Sequence, residues 1–165
     1  MQTLPTGRHP HGPPAATGTA APTQRVIAFF ETLDASSLQR IGQIYRDDAS
    51  FKDPFNAVSG VESIRGIFRH MFETTENPRF TVLDAIDDGE RCFLTWNFQF
   101  RSRGRGARDW VIHGASRIEF DGAGRIRHHR DYWDAAEEFY EALPWIGALL
   151  RSIKRRVRAR AANLE

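Results

Sequence analysis

Two carboxylates and an imidazole stand where this chain could move protons. Asp53 ends the run AlaSerPheLysAsp and is followed by Pro54 and Phe55. A carboxylate at a strand end, pointing the same way as Phe51, would sit among apolar groups, and desolvation there suits it to take a proton from carbon. The competing expectation is an Asp that accepts amide hydrogen bonds in a turn opened by Asp53-Pro54. His129, Asp131 and Trp133 recur at a spacing of two, so on a strand they share one face. Asp131 beside His129 makes a second proton carrier opposite Asp53. The alternative is a structural hydrogen bond from Asp131 to the first helix.

The other reactive side chains carry less. Alternation puts His113 with Val111, Arg117 and Glu119, facing outward, and turns His128 away from His129, so the adjacent pair cannot chelate one ion from a regular strand. His9 and His11 fall in a proline-rich stretch and read as a solvated tail. Cys92 is alone inside an apolar run, which excludes a disulfide framework and reads as a small buried hydrophobe. No metal site and no cofactor is expected.

The elements that must position these groups follow from periodicity. The chain has 165 residues, 41% hydrophobic and 27% charged, enough for one globular domain with a tail. Residues 1–22 hold five of the eight prolines and no acidic residue, and are expected to be a disordered leader. Thr23 is the expected N-cap of a helix carrying Val26, Ile27, Phe29, Phe30 and Leu33. Leu38, Ile41, Ile44 and Tyr45 continue the helical spacing, a strand follows over 49–53, and Gly60 to Thr74 is helical again. From Pro78 the period becomes two: Leu94, Trp96, Phe98 and Phe100 alternate with polar residues, and Trp110, Ile112, Gly114, Ser116, Ile118 and Phe120 form the next such face. Loops rich in Arg and Gly, then Asp121 to Gly124, separate the strands, and the last strand spans 125–133. Helices first and a meander afterwards is an α+β pattern, a curved antiparallel sheet packed against N-terminal helices, with an open mouth suited to a small molecule.

TyrArgAspAspAlaSerPheLysAspProPheAsn (45–56), then Gly60 and a helix, PheAspGlyAlaGlyArgIle (120–126) and ArgAspTyrTrp (130–133) follow one another in a pattern that extends over roughly 24–140. In order and spacing this resembles the nuclear transport factor 2-like superfamily, in its SnoaL-like and ketosteroid isomerase-like branch, which also includes polyketide cyclases and limonene epoxide hydrolase. The resemblance implies a cone-shaped fold over residues 23–142. It also places Asp53 at the isomerases' general base and Tyr45 in their hydrogen-bond network. The isomerase oxyanion hole is not matched: Phe29 and Ser116 stand at its two donor positions, and Phe68 where a supporting Tyr is kept. Each lost oxyanion donor typically costs about 10² to 10³ in rate, so efficient ketosteroid isomerisation is not expected. The Asp, Arg, Asp relay of epoxide hydrolysis is not identified, although Arg101 or Arg127 could supply its cation. Asp131 matches an acid common in the cyclases.

The expected site is therefore Asp53, Asp131 and His129 as proton carriers, with Phe29, Tyr45, Phe55, Phe68, Trp96, Phe98, Ser116 and Trp133 around an apolar, oxygenated small molecule. For Trp96, Phe98, Phe100 and Trp110 the alternative is plain core. A non-catalytic binding or dimerisation module is the alternative function. A homodimer is expected through the convex sheet face, which would show Thr95, Asn97, Gln99, Val111, His113 and Ala115. Net charge is +2, but six basic residues against Glu165 lie from Leu143 onward, leaving 17 basic and 20 acidic residues before it. Residues 143–165 read as an added basic amphipathic helix, able to touch an anionic membrane surface or, as the blander alternative, to cap the cone. The basic hairpin at Arg101, Arg103, Arg105 and Arg108 is discounted as general Arg richness, so nucleic acid is not an expected partner. The absence of an apolar run of about 18 residues makes the cytoplasm the expected location.

Overall fold

The computed structural model describes residues 21–138 and Ser152. Of the expected leader, only Ala21 and Pro22 fall among the described residues, and of the expected basic helix only Ser152; the rest of both lies outside them. Helix α1 (Ala21–Glu31) already includes Ala21 and Pro22, so Thr23 lies inside its first turn and is not an N-cap. Proline suits a first turn, where its missing N–H would have no intrahelical acceptor. Val26, Phe29 and Phe30 are the buried stripe of α1.

A 3-10 turn (Ser37–Arg40) and the short α2 (Ile41–Ile44) replace the second helix expected through Tyr45. Strand β1 (Tyr45–Lys52) begins at that tyrosine. Its first half is hidden in the sequence because the ladder shifts between Tyr45 and Ser50, which breaks the strict alternation over Arg46, Asp47 and Asp48. The short β2 (Ala57–Ser59), α3 (Val61–Thr74), β3 (Thr75–Asp87), β4 (Arg91–Ser102), β5 (Asp109–Phe120), β6 (Ile126–Trp133) and α4 (Ala135–Glu138) follow.

The six strands form one sheet in the order β2-β1-β6-β5-β4-β3. The expected sheet is antiparallel, but one pairing is not: β1 runs parallel to β6, with Phe51 opposite His129. The remaining pairs are antiparallel. Parallel neighbours need a long crossover, and here nearly the whole sheet lies between the two. β3 is bent by register shifts at Glu76/Arg79 and Val82/Asp84. At the first of these Asn77 takes a positive φ of 50° before Pro78, whose missing N–H interrupts the ladder.

α1 packs on β3 and α3 on β1, on one face of the sheet. The core between them joins Val26, Phe30, Ile64 and Phe68 of the helices to Cys92, Leu94, Trp96, Ile112, Ile118 and Ile126 of the strands. Alternation holds as expected on β4, where Leu94 and Trp96 are buried and Thr95 and Gln99 exposed. Toward the end of β4, Phe98 and Phe100 are only half-buried, because the sheet leaves the helices there and the cone opens. The outer face is less polar than the sequence suggested, since Phe93, Val111 and Tyr132 are exposed on it and Ile86 lies opposite Phe93. Among the described residues no helix is long and apolar enough to cross a membrane.

Burial pushes the Cys92 thiol up to about 11. The neutral thiol therefore stabilises the fold below the unfolded value, and that contribution is lost as pH rises toward 11. At pH 8 the folded protein should leave a disulfide dye such as DTNB unreacted, one thiol appearing only as the chain unfolds. Fast labelling without unfolding would contradict the packing of β4.

Candidate active site

Register decides which side chains meet. β6 lies between β1 and β5, so His129 is opposite Phe51 on one side and Ile118 on the other, and Asp131 is opposite Ser116. Residues in register on neighbouring strands emerge on the same face. Phe51, Ser116, His129 and Asp131 thus all point beneath the helices, and Trp133, opposite Gly114, continues the row toward the open end.

These side chains form a connected chain of hydrogen bonds. The hydroxyl of Tyr45, a fully buried residue, lies 2.5 Å from His129 Nδ1. His129 Nε2 lies 2.8 Å from Asp131 Oδ1, Ser116 Oγ donates to the same oxygen at 2.5 Å, and Trp96 Nε1 donates to Ser116 Oγ at 2.8 Å. The directions follow from chemistry. An indole can only donate, so Ser116 accepts from Trp96 and gives its own proton to Asp131. Burial first, and then the charge of Asp131, push the Tyr45 phenol well above its ordinary value, so it keeps its proton. With Tyr45 donating to Nδ1 and Nε2–H donating to Asp131, a neutral imidazole is satisfied at both nitrogens. Two donor chains converge on Asp131 Oδ1, and among the described residues no hydrogen bond is made to Oδ2.

Aromatic rings wall the imidazole. Phe51 meets it edge-on at 5.0 Å between centroids, Phe30 at 5.7 Å, and Tyr45 lies nearly parallel at 5.9 Å. Against this cluster lies a cavity of about 30 Å³, lined by Phe30, Phe80, Trp96, Ser116, His129 and Asp131 among others. It has room for one or two water-sized groups. A larger cavity of about 230 Å³ shares Phe68, Phe80, Trp96 and Asp131 with it and extends past Phe98, Phe100 and Trp133 to a rim at Asp53 and Phe55.

Asp53 takes the turn alternative. Its Oδ1 accepts the amides of Phe55 at 2.7 Å and Asn56 at 2.5 Å. The Asn56 side-chain amide donates to Oδ2 at 2.9 Å, and the Asp53 amide donates to the Asn56 carbonyl at 3.0 Å. Asp53 lines the rim, but both its oxygens are engaged in closing the β1–β2 hairpin. Asp131 does not bond the first helix; its partners are Ser116 and His129. Phe29, expected against ligand, lines neither cavity: it packs edge-on to Phe30, and the next helical position places Phe30 there instead. Tyr45 acts only through His129. Phe68, Trp96, Phe98, Ser116 and Trp133 line one cavity or both, and Phe55, which is 53% exposed, covers Trp133 edge-on at 5.2 Å. His113 and His128 lie on the outer face, held by Asn97 and Ser50. No three His, Cys, Asp or Glu side chains among the described residues converge as a metal site.

Sequence reasoning passed over Gly114. A Cβ there would fall 2.4 Å from the Trp96 ring, so only glycine lets the indole lie across β5 and reach Ser116. The signal was present as a glycine inside an otherwise alternating strand, which marks a close approach. Phe30 and Phe80, by contrast, carry no mark that separates a cavity wall from core.

Beyond the fold and this site, the family is settled by comparison: a model describing the SnoaL-like domain matches residues 26–129, and the chain belongs to that family. Similar solved structures include a hypothetical protein with a ketosteroid isomerase-like fold from Catenulispora acidiphila DSM 44928, in complex with trimethylamine. It is 17% identical, with a TM-score of 0.62 over 73% of this chain and 91% of that one. A SnoaL-like polyketide cyclase candidate from Shewanella putrefaciens CN-32 is 14% identical, with a TM-score of 0.63 over 73% and 97%. An NTF2-like protein of unknown function from Burkholderia pseudomallei K96243 is 17% identical, with a TM-score of 0.63 over 72% and 95%. At these identities the likeness shows the fold. No curated protein matches the chain.

Gly114→Ala should push the Trp96 indole off Ser116 and lower stability by about 1 to 3 kcal/mol, the usual cost of overpacking. A denaturant midpoint that falls together with a changed near-ultraviolet tryptophan signal is the expected result. An unchanged midpoint would show that the indole does not depend on this glycine.

Proposed function

We propose that this chain is a SnoaL-like small-molecule protein in which Asp131 exchanges a proton with an apolar, oxygenated ligand held in the aromatic cavity. The observation that carries the reading is the convergence of both donor chains on Oδ1 of Asp131, a residue that lines both cavities and whose Oδ2 has no hydrogen bond among the described residues. A ligand C–H or O–H at Oδ2 would lose its proton to the carboxylate, and the same carboxyl would return it to a second ligand atom. The net change is isomerisation or ring closure of the ligand with the protein regenerated. His129 and Ser116 hold the carboxylate in place and Tyr45 holds His129; none of the three needs to change its proton count. Trp96, Phe98, Phe100 and Trp133 supply the apolar surface. Ketosteroid isomerisation finds no support, because Ser116 spends its proton on Asp131 and no side chain at the Phe29 position donates.

One observation favours a second reading, binding without turnover: Asp53, the base of the related isomerases, is tied into its turn. A thermal-shift screen of ketones, enones, epoxides and sterol-like lipids separates the two. Binding at a hundredfold excess over Kd adds about 2.7 kcal/mol of stability. The hit should stabilise wild type and Asp53→Asn but not Asp131→Asn, and in D2O wild type should exchange a ligand proton that Asp131→Asn does not. A hit without exchange supports the binder, and no hit in any class would sink the cavity reading for these ligands.

Two copies are also proposed to pair through the outer sheet face, where Ile86, Phe93, Val111 and Tyr132 are exposed beside the polar Thr95, Asn97, Gln99 and His113 and the small Ala115. Sedimentation should give a dimer for wild type and a monomer for Phe93→Glu. A monomeric wild type at micromolar concentration would end that proposal.

A further inference from the structure

Apart from the Trp133 indole N–H and His70 at its mouth, the cavity offers acceptors and aromatic faces and little to give. At its floor Trp96 Nε1 is spent on Ser116, and both Ser116 Oγ and His129 Nε2 are spent on Asp131 Oδ1. At its rim the Asn56 side-chain amide is spent on Asp53, and His70, which also borders the cavity, is exposed to solvent. The full chain carries 23 Lys and Arg, yet among the described residues none lines this cavity, while two carboxylates, Asp53 and Asp131, do. Eight aromatic side chains complete the wall, from Phe51 and Phe68 within to Phe55 and Trp133 at the mouth.

Four kinds of ligand end can be weighed against that lining. An anion would meet two carboxylates with no Lys or Arg beside them. A purely apolar group would leave Asp131 Oδ2 dry and unpaired, which is costly for a charged oxygen. A protonated amine satisfies both features at once: its N–H donates to Oδ2 as a charge-assisted bond, and its alkyl groups, which share the positive charge, lie on the negative faces of the rings. A neutral hydroxyl gains only the bond.

We propose that the ligand of this cavity carries a small alkylammonium group, seated against Asp131 Oδ2 and boxed by Trp96, Phe98, Phe100 and Trp133. The inference rests on the reading of this cavity as the ligand site and places the ammonium at Oδ2 in place of the C–H or O–H. The volume of about 230 Å³ falls below the roughly 300 to 1,000 Å³ of sites for drug-sized molecules, which limits the ligand to a compact amine with a short apolar extension. Asp53 contributes charge at the mouth without a vacant oxygen, so it draws a cation inward and leaves the direct contact to Asp131.

Three probes of nearly equal shape test this on the full chain: N,N-dimethylaminoethanol and choline, both cations at pH 7, and 3,3-dimethylbutan-1-ol, the neutral counterpart. Affinities come from titrations followed by protein amide NMR. Both cations should bind wild type about tenfold or more tightly than the alcohol, a difference of about 1.4 kcal/mol. Dimethylaminoethanol, which keeps an N–H, should lead. Asp131→Asn should erase the advantage of both cations over the alcohol. Trp133→Leu, at the half-exposed mouth, keeps the test available should the first variant unfold; it should reduce the choline advantage while sparing the Asp131 contact. Equal affinity for cations and alcohol would overturn the amine assignment and leave the cavity as a ligand site. No binding by any probe would overturn both.

Discussion

His129 is a polar ring sealed in an apolar core, 4% exposed, and the arrangement around it follows from satisfying both its nitrogens. A buried imidazole with one orphan nitrogen would cost roughly what a lost buried hydrogen bond costs, about 1 to 3 kcal/mol. Tyr45 takes Nδ1 and Asp131 takes Nε2, and each partner in turn constrains its own neighbours. Tyr45 is fully buried, and that burial pushes its phenol further above its ordinary value, so it stays a donor. Asp131 needs further donors to sit half-buried, and these come from Ser116 and, behind it, Trp96. One ring thus ties β1 to the next three strands across the sheet, β6, β5 and β4.

This polar thread runs across the sheet, at right angles to the strands, and depends on register. The parallel pairing of β1 with β6 sets Phe51 beside His129, and the antiparallel pairing of β5 with β6 sets Ser116 beside Asp131. A one-residue slip of β6 would turn His129 and Asp131 outward and bring His128 and Arg130 beneath the helices. No apolar wall could accept that arginine, so the hydrophobic core and the hydrogen-bonded pair His129 and Asp131 enforce the same register. Tyr45 and Phe51 are six apart, an even spacing, and both face inward although the ladder with β6 shifts between them.

Most of this could be read from residue order, but unevenly. The long strands β4 and β5 and the helix α3 were legible because their alternation or helical period is clean, and the His129, Asp131, Trp133 face was legible for the same reason. Three features were not. Strand β1 begins within a charged run, its pairing with β6 is parallel, and neither fact leaves a local mark, since pairing partners far apart in sequence have no periodic signature. Asp53 had two readings of nearly equal weight, and the choice turned on Asn56, whose amides face it only once the hairpin has closed. Phe29 and Phe30 are adjacent aromatics on one helix, so the phase of α1 against β3, which spacing alone does not supply, decided which of them reached a cavity.

The parallel seam between β1 and β6 also orders events in time. β1 cannot find its inner neighbour until residues 126–133 have been made and threaded between it and β5, so nearly the whole domain must be present before the first strand has its final place. Contacts of such long sequence separation are slow to form because loop closure precedes their reward. The cavity floor is built on both sides of that seam. With Phe51 on one strand and Asp131 on the other, that floor is complete only when the longest-range pairing of the sheet is in place.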